Sequence, residues 1–183
     1  MSVVINGTNG ITYPDGTSQS SLSNLVTSAV IATISGTAID FTGIPSWAKR
    51  ITVMFSGVST SGTNVVQIQL GSGSPQTTGY MGSGWVVSSG GALIITDNTT
   101  GHAIEGNSGL TAAATRYGTA TFNLLGNNTW VGSSMMIRSD MTPDYAMNGT
   151  STVTLVGSID RIRITTVGGI DTFDAGSISI MWE

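Results

Sequence analysis

The feature that most constrains this chain is a period of two. Between residues 50 and 56, Ile51, Val53 and Phe55 alternate with Arg50, Thr52, Met54 and Ser56, so an extended strand carries its apolar side chains on one face and the others on the opposite face. The alternation returns over 65–70, where Val66, Ile68 and Leu70 oppose Val65, Gln67 and Gln69. Further runs of strand length lie at 85–87, 92–96, 119–125, 129–137, 152–156, 161–166 and 177–182, separated by stretches rich in Gly, Asn and Ser. About ten short strands without a helical period of useful length predict an all-β chain: an antiparallel, jelly-roll-like β-sandwich over residues 25–183 behind a short N-terminal arm over 1–24. Its core is predicted to hold Ile51, Val53, Phe55, Val66, Ile68, Leu70, Phe122, Leu124, Ile162, Ile164, Ile178 and Ile180.

Local signals refine this outline. Gly62-Thr63-Asn64, Gly126-Asn127-Asn128 and the residues 157–160 have the composition of hairpin loops. Leu22, Leu25, Val26, Ala29 and Val30 fit a helical i, i+3, i+4, i+7 face, which predicts a short turn of helix followed by a strand over 31–34. Trp47, just before the strand at 50, is placed to close one end of the core. Asn6-Gly7 and Pro14-Asp15-Gly16 are tight-turn signals in the arm. Asn-x-Thr triplets at Asn6, Asn98, Asn127 and Asn148 are read as turns and not as glycan acceptors, since the N-terminus has neither the basic nor the apolar region of a secretory signal.

Composition removes several function classes. Only 9% of the residues are charged, against about 25% in an average globular chain, so the solvent face must be built largely from hydroxyls, amides and glycine. A net charge of −4 with a single lysine, Lys49, argues against nucleic-acid binding. Cysteine is absent, which excludes disulfides and thiolate metal sites. No apolar run is long enough for a membrane-spanning helix, and the expectation is synthesis in a cytoplasm without membrane insertion. Catalytic chemistry finds few partners. His102 stands alone with Glu105 three residues on, Ser108 has no nucleophile-elbow context, and an exposed loop histidine is expected. Asp140 with Asp144, and Asp171 with Asp174, are the nearest carboxylate pairs for glycan cleavage, and both fall in turn-like segments outside the EF-hand spacing. The G-x-G pairs at Gly71–Gly73 and Gly82–Gly84 lack the third glycine of a nucleotide loop. No catalytic residue, metal or cofactor is predicted.

The segment 79–117 is the best candidate for recognition. Sugar recognition of the stacking kind sets a flat ring against the apolar face of a pyranose and carboxylate or amide groups on its hydroxyls. Tyr80, Trp85, His102 and Tyr117, with Asp97, Asn98, Glu105 and Asn107, supply that mixture. The competing assignment makes Trp85, beside Val86 and Val87, a core residue, and Trp130 and Trp182 core or subunit-interface residues. Met135, Met136, Met141 and Met147 are candidates for an adaptable interface or for core filling.

Three phrases, in order, carry a resemblance. Residues 11–19 contain Tyr13-Pro14-Asp15-Gly16-Thr17-Ser18-Gln19, residues 37–58 read TAIDFTGIPSWAKRITVMFSGV, and residues 172–183 read TFDAGSISIMWE. Together they resemble the terminal β-domains of tailed-bacteriophage fibre and related virion surface proteins. The resemblance implies a non-enzymatic virion structural protein, as a tail fibre, head fibre or decoration subunit. Its sandwich would bind host cell-surface carbohydrate or other virion proteins, and its arm would contact the rest of the particle. A homo-oligomer follows, with the number three supplied by the family alone. The alternatives are a polysaccharide-degrading enzyme and a purely structural assembly adaptor.

Overall fold

The computed structural model describes residues 4–6, 10–19, 25–87, 91, 93–107, 109–140 and 142–183. Their strands are β1 (Val4–Asn6), β2 (Gly10–Thr12), β3 (Ser18–Gln19), β4 (Val26–Thr27), β5 (Ile31–Ala32), β6 (Ala38–Thr42), β7 (Arg50–Thr60), β8 (Val66–Ser72), β9 (Ser74–Pro75), β10 (Met81–Val87), β11 (Leu93–Asp97), β12 (His102–Ala103), β13 (Arg116–Gly126), β14 (Thr129–Arg138), β15 (Tyr145–Thr154), β16 (Arg161–Thr166) and β17 (Phe173–Trp182). No helix occurs among the described residues. β1–β3 pair only with one another, as a small meander within the arm, and the rest form two sheets.

The large sheet runs β11-β10-β15-β14-β13-β7-β17-β4, with β5 also on β17. The small sheet runs β12-β8-β16-β6, with β9 on β8. Every pairing is antiparallel. The two sheets pack face to face as a β-sandwich, because each buries the apolar half of a period-2 pattern. Ile51, Val53, Phe55, Phe122, Ile178 and Ile180 come inward from the large sheet and Val66, Ile68, Leu70, Ile162 and Ile164 from the small one, all buried in one cluster. Leu124 is the single predicted core residue that is only partly buried. The β13–β14 hairpin closes through Asn127 and Asn128, both at positive φ (49° and 57°), the conformation of a type I′ turn, which asparagine tolerates better than most residues.

Several local expectations are corrected. Gly62-Thr63-Asn64 does not close a hairpin: β7 and β8 belong to different sheets, and the loop crosses between them, pinned where the Asn64 backbone N–H and side-chain amide donate to Asp171 at 2.9 and 2.8 Å. Residues 157–160 likewise link β15 in the large sheet to β16 in the small one. The helical turn expected over 22–30 is extended from residue 25 onward, and Leu22 lies outside the described residues. Val26 and Thr27 pair with Trp182 and Met181, and Ser28 exchanges bonds with Ile180. An open sheet edge thus offers this segment more hydrogen bonds than a single helical turn can. The strand expected over 31–34 is confined to Ile31–Ala32. Trp47 is 46% exposed and closes nothing. Asn148 sits within β15 and not in a turn, whereas Asn98 does make an Asx turn, accepting from the Thr100 N–H at 3.1 Å. Gly7 of the Asn6-Gly7 signal lies outside the described residues, and the Pro14-Asp15-Gly16 turn joins β2 to β3.

The sandwich is closed at one edge by an unusual approach. β12 pairs with β8, His102 opposite Ile68, while its chain runs directly over the large sheet. Gly84 and Gly149 face each other across β10 and β15. A Cβ on Gly149 would overlap the Ala103 carbonyl, and one on Gly84 the Glu105 carbonyl. The two glycines are therefore the floor on which residues 102–106 lie, and any side chain there lifts that segment off the sheet.

Candidate functional site

The eight residues expected to bind sugar are dispersed. Tyr80 is buried, and its hydroxyl accepts the Leu70 N–H at 2.7 Å. Burial also pushes its phenol well above the usual range. Trp85 lies half-buried on the outer face of the large sheet, because its neighbours Gly84 and Val86 take the inward positions of β10. Tyr117 is on the same outer face, 42% exposed, separated from Trp85 by β15 and β14. Asp97, Asn98 and Asn107 do meet, around a cleft of about 120 Å³, smaller than the roughly 300–1,000 Å³ of ligand pockets. The Asn98 amide is turned away to Gln67 Oε1 at 2.8 Å. The eight do not form one sugar platform.

His102 and Glu105 belong to the interior. The expected exposed loop histidine is fully buried, as β12 carries it between the sheets. Its Nδ1 lies 2.9 Å from Ser151 Oγ, its ring stands edge-on to Phe122 at 5.1 Å, and Nε2 has no partner. No carboxylate compensates a charge there, and desolvation lowers the His102 pKa from 6.5 to about 4. Glu105, also fully buried, receives Arg116 Nε at 2.9 and 2.8 Å and the Val66 N–H at 3.0 Å. Arg116 opens β13 of the large sheet and Val66 opens β8 of the small one, so a single carboxylate ties both layers at this edge. This is structural chemistry, and the alternating pattern did not reveal it because β12 is only two residues long.

Histidine burial gives a pH prediction. The unfolded chain protonates His102 near pH 6.5, whereas the folded chain resists until about pH 4. Between these values the unfolded state binds the extra proton, so the stability that neutral His102 permits is complete above pH 6.5 and is lost as pH falls toward 4, by about 3 kcal/mol. Thermal melts from pH 7.5 to 4 should show this loss in the native chain and a flatter profile in His102→Gln. Parallel profiles would place the titration elsewhere.

Three of the four carboxylates considered for glycan cleavage are also occupied, and the fourth, Asp144, is exposed. Asp140 accepts Arg138 Nε at 2.7 Å and Thr111 Oγ1 at 2.8 Å. Asp171 holds Asn64, and Asp174 is bound by Ser59 Oγ. Among the described residues no group of three or more His, Asp or Glu could hold a metal ion. No family model, curated protein or solved structure matches this chain. A functional assignment therefore rests on surface chemistry.

The surface feature that stands out is the outer face of the large sheet. Strand register places Ile95, Trp85, Asn148, Met135, Thr119 and Met54 in one row across six strands. A parallel row carries Leu93 opposite Val87, and Ala146, Ile137 and Tyr117 opposite one another. Neither row contains a charged residue. Ile95 is 61% and Met135 72% exposed, and Leu93, Ile137 and Tyr117 are also open to solvent. The methionines expected at an interface divide: Met135 points out, Met136 and Met147 are core residues, and Met141 lies outside the described residues. Trp130 is core, as expected of it, and Trp182 packs partly buried against the core.

Proposed function

We propose that the chain is a non-enzymatic structural protein of a tailed-bacteriophage virion, a fibre or decoration subunit whose sandwich assembles with other virion proteins, foremost with copies of itself. The observation that carries this reading is the uncharged double row on the large sheet. Monomeric soluble domains rarely leave contiguous apolar surface of this kind uncovered, and a face of aromatic, aliphatic and methionine side chains without charges has the makeup of an interface centre. The three phrases that resemble virion fibre proteins supply the biological setting and the number three. The non-enzymatic part is supported by Glu105, Asp140, Asp171 and Asp174, whose carboxylates are spent on holding loops and sheet edges together.

Light scattering at micromolar concentration tests it. The expected mass is three times 18.7 kDa, and Met135→Lys with Ile137→Lys, both on exposed positions, should return the chain to a single folded subunit that keeps its strand circular dichroism and melts lower by the stabilisation that association supplied. A native chain that stays at 18.7 kDa overturns assembly through this face, and release of reducing ends from host polysaccharide would overturn the non-enzymatic reading.

A further inference from the structure

The opposite layer carries a different surface. On the outer face of the small sheet, Gln67 and Gln69 of β8 stand beside Thr165 and Arg163 of β16, and residues from four loops rise around them to leave a cleft of about 330 Å³. We propose that this cleft is a binding site for a neutral sugar residue.

The argument starts from the two glutamines. Period-2 alternation sends both away from the core, yet they are only 2% and 5% exposed, because the turn at 97–101 folds over the sheet. That turn fixes their orientation. Gln67 Oε1 accepts from Asn98 Nδ2 at 2.8 Å and Thr100 Oγ1 at 2.9 Å, which leaves its NH2 group with one long bond to the Thr166 carbonyl at 3.4 Å. Gln69 donates to the Thr100 carbonyl at 2.9 Å, and its Oε1 accepts no hydrogen bond from any described residue. The floor thus presents one under-used amide donor and one free amide acceptor, both held in place by the protein before any ligand arrives. A buried amide with unspent hydrogen-bonding capacity, open to a cleft, is a group that a polar ligand satisfies.

Charge and shape narrow the ligand. The one cation among the described residues of the cleft, Arg163, is already engaged by both oxygens of Asp40, at 2.8 and 2.7 Å, so an anionic ligand would have to compete with that carboxylate. Its remaining N–H groups are hydrogen-bond donors without a net charge to offer. Thr77 adds a hydroxyl at the rim, and Thr100, whose proton is already given to Gln67 and Asn98, adds an acceptor. Among the described residues no aromatic ring lines the cleft, so a flat heterocycle finds no stacking partner, and a sugar is held here through hydrogen bonds to its hydroxyls alone and not by ring stacking of the kind sought over 79–117. Paired donors and acceptors, hydroxyls and compensated charge match the alternating O–H groups of a saccharide. The volume lies at the low end of the roughly 300–1,000 Å³ seen for ligand sites, suited to one sugar residue or the end of a glycan chain. The cleft lies on the sheet opposite the apolar rows, so this inference does not rest on the assembly reading.

The test is a titration of the whole 15N-labelled chain with D-glucose, D-galactose, D-mannose and N-acetyl-D-glucosamine to about 50 mM, following the side-chain NH2 resonances of Gln67 and Gln69. At least one sugar should shift both saturably, and Gln69→Ala should weaken that sugar about five- to tenfold, the loss of one neutral hydrogen bond. Thr77→Val, on the exposed rim, provides the same comparison should Gln69→Ala not fold. The proposal is overturned if none of the four sugars shifts these resonances, if the folded variants bind unchanged, or if D-glucuronate binds more tightly than D-glucose. Binding by a chain that scatters as a monomer would separate this result from the assembly reading.

Discussion

Glu105→Ala is expected to cost about 3–5 kcal/mol of folding free energy, a large part of the 5–15 kcal/mol typical of a domain. The reason lies in what the substitution leaves behind. Arg116 is fully buried, its Nε spent on Glu105 and its Nη1 on the Ala114 carbonyl, while Nη2 already lacks a partner. Removing the carboxylate strands a guanidinium charge between two sheets and also orphans the Val66 N–H. Glu105→Gln keeps an acceptor for Val66 but not the compensating charge, so it should recover only a fraction. Replacing both partners by apolar residues, Glu105→Leu with Arg116→Met, should recover most of the loss, since a buried ion pair is often exchangeable for packed hydrocarbon. Urea unfolding of the four chains decides the matter. A Glu105→Ala chain within about 1 kcal/mol of the native one would show that the pair is hydrated.

How much of this was legible in the sequence follows from what a period of two can encode. It assigns faces, and Ile51, Val53, Phe55, Val66, Ile68 and Leu70 are inward as the alternation requires. It does not assign partners. β7 and β8 present matching apolar faces and a short polar link, which is also what two strands facing each other across a sandwich look like, and the hairpin expectation at Gly62–Asn64 failed on that ambiguity. The edge built by β12 left a weaker trace. Gly84 and Gly149 interrupt otherwise ordinary strands, and a glycine inside a strand marks close backbone approach. The Gly82–Gly84 pair carries that signal: a nucleotide motif is absent there, and Gly84 lies against the Glu105 carbonyl. The alternation puts Gln67 and Gln69 on the polar face, but their burial depends on a turn 31 to 33 residues away in sequence, and no local pattern reports a contact at that separation. The dispersal of the expected sugar set has the same origin: closeness in sequence along 79–117 does not give closeness in space, because the segment passes from the outer face at Trp85 to the core at His102 and back out at Tyr117.

Phe122→Ala should have a comparable effect on stability and a second effect that separates it from an ordinary core truncation. The ring is 1% exposed, fits over Gly132, its register partner on β14, and stands at 78° to His102. Its removal costs about 3–5 kcal/mol through lost burial and the cavity left behind. That cavity borders the imidazole, whose Nε2 has no partner, and a void with a polar wall of this size admits water. Hydration relieves the desolvation that holds the His102 pKa near 4, so the value should climb back toward 6.5. Two opposite changes then appear in one variant: lower stability at pH 7.5, and a smaller further loss between pH 6.5 and 4, because less of the proton-linked difference between folded and unfolded chains remains. An NMR titration of the single imidazole, together with urea melts at both pH values, measures both. A truncated chain that loses stability yet keeps its imidazole at the native pKa would show that the cavity stays dry, and would assign the depression to the backbone and strands around β12 instead of to the ring.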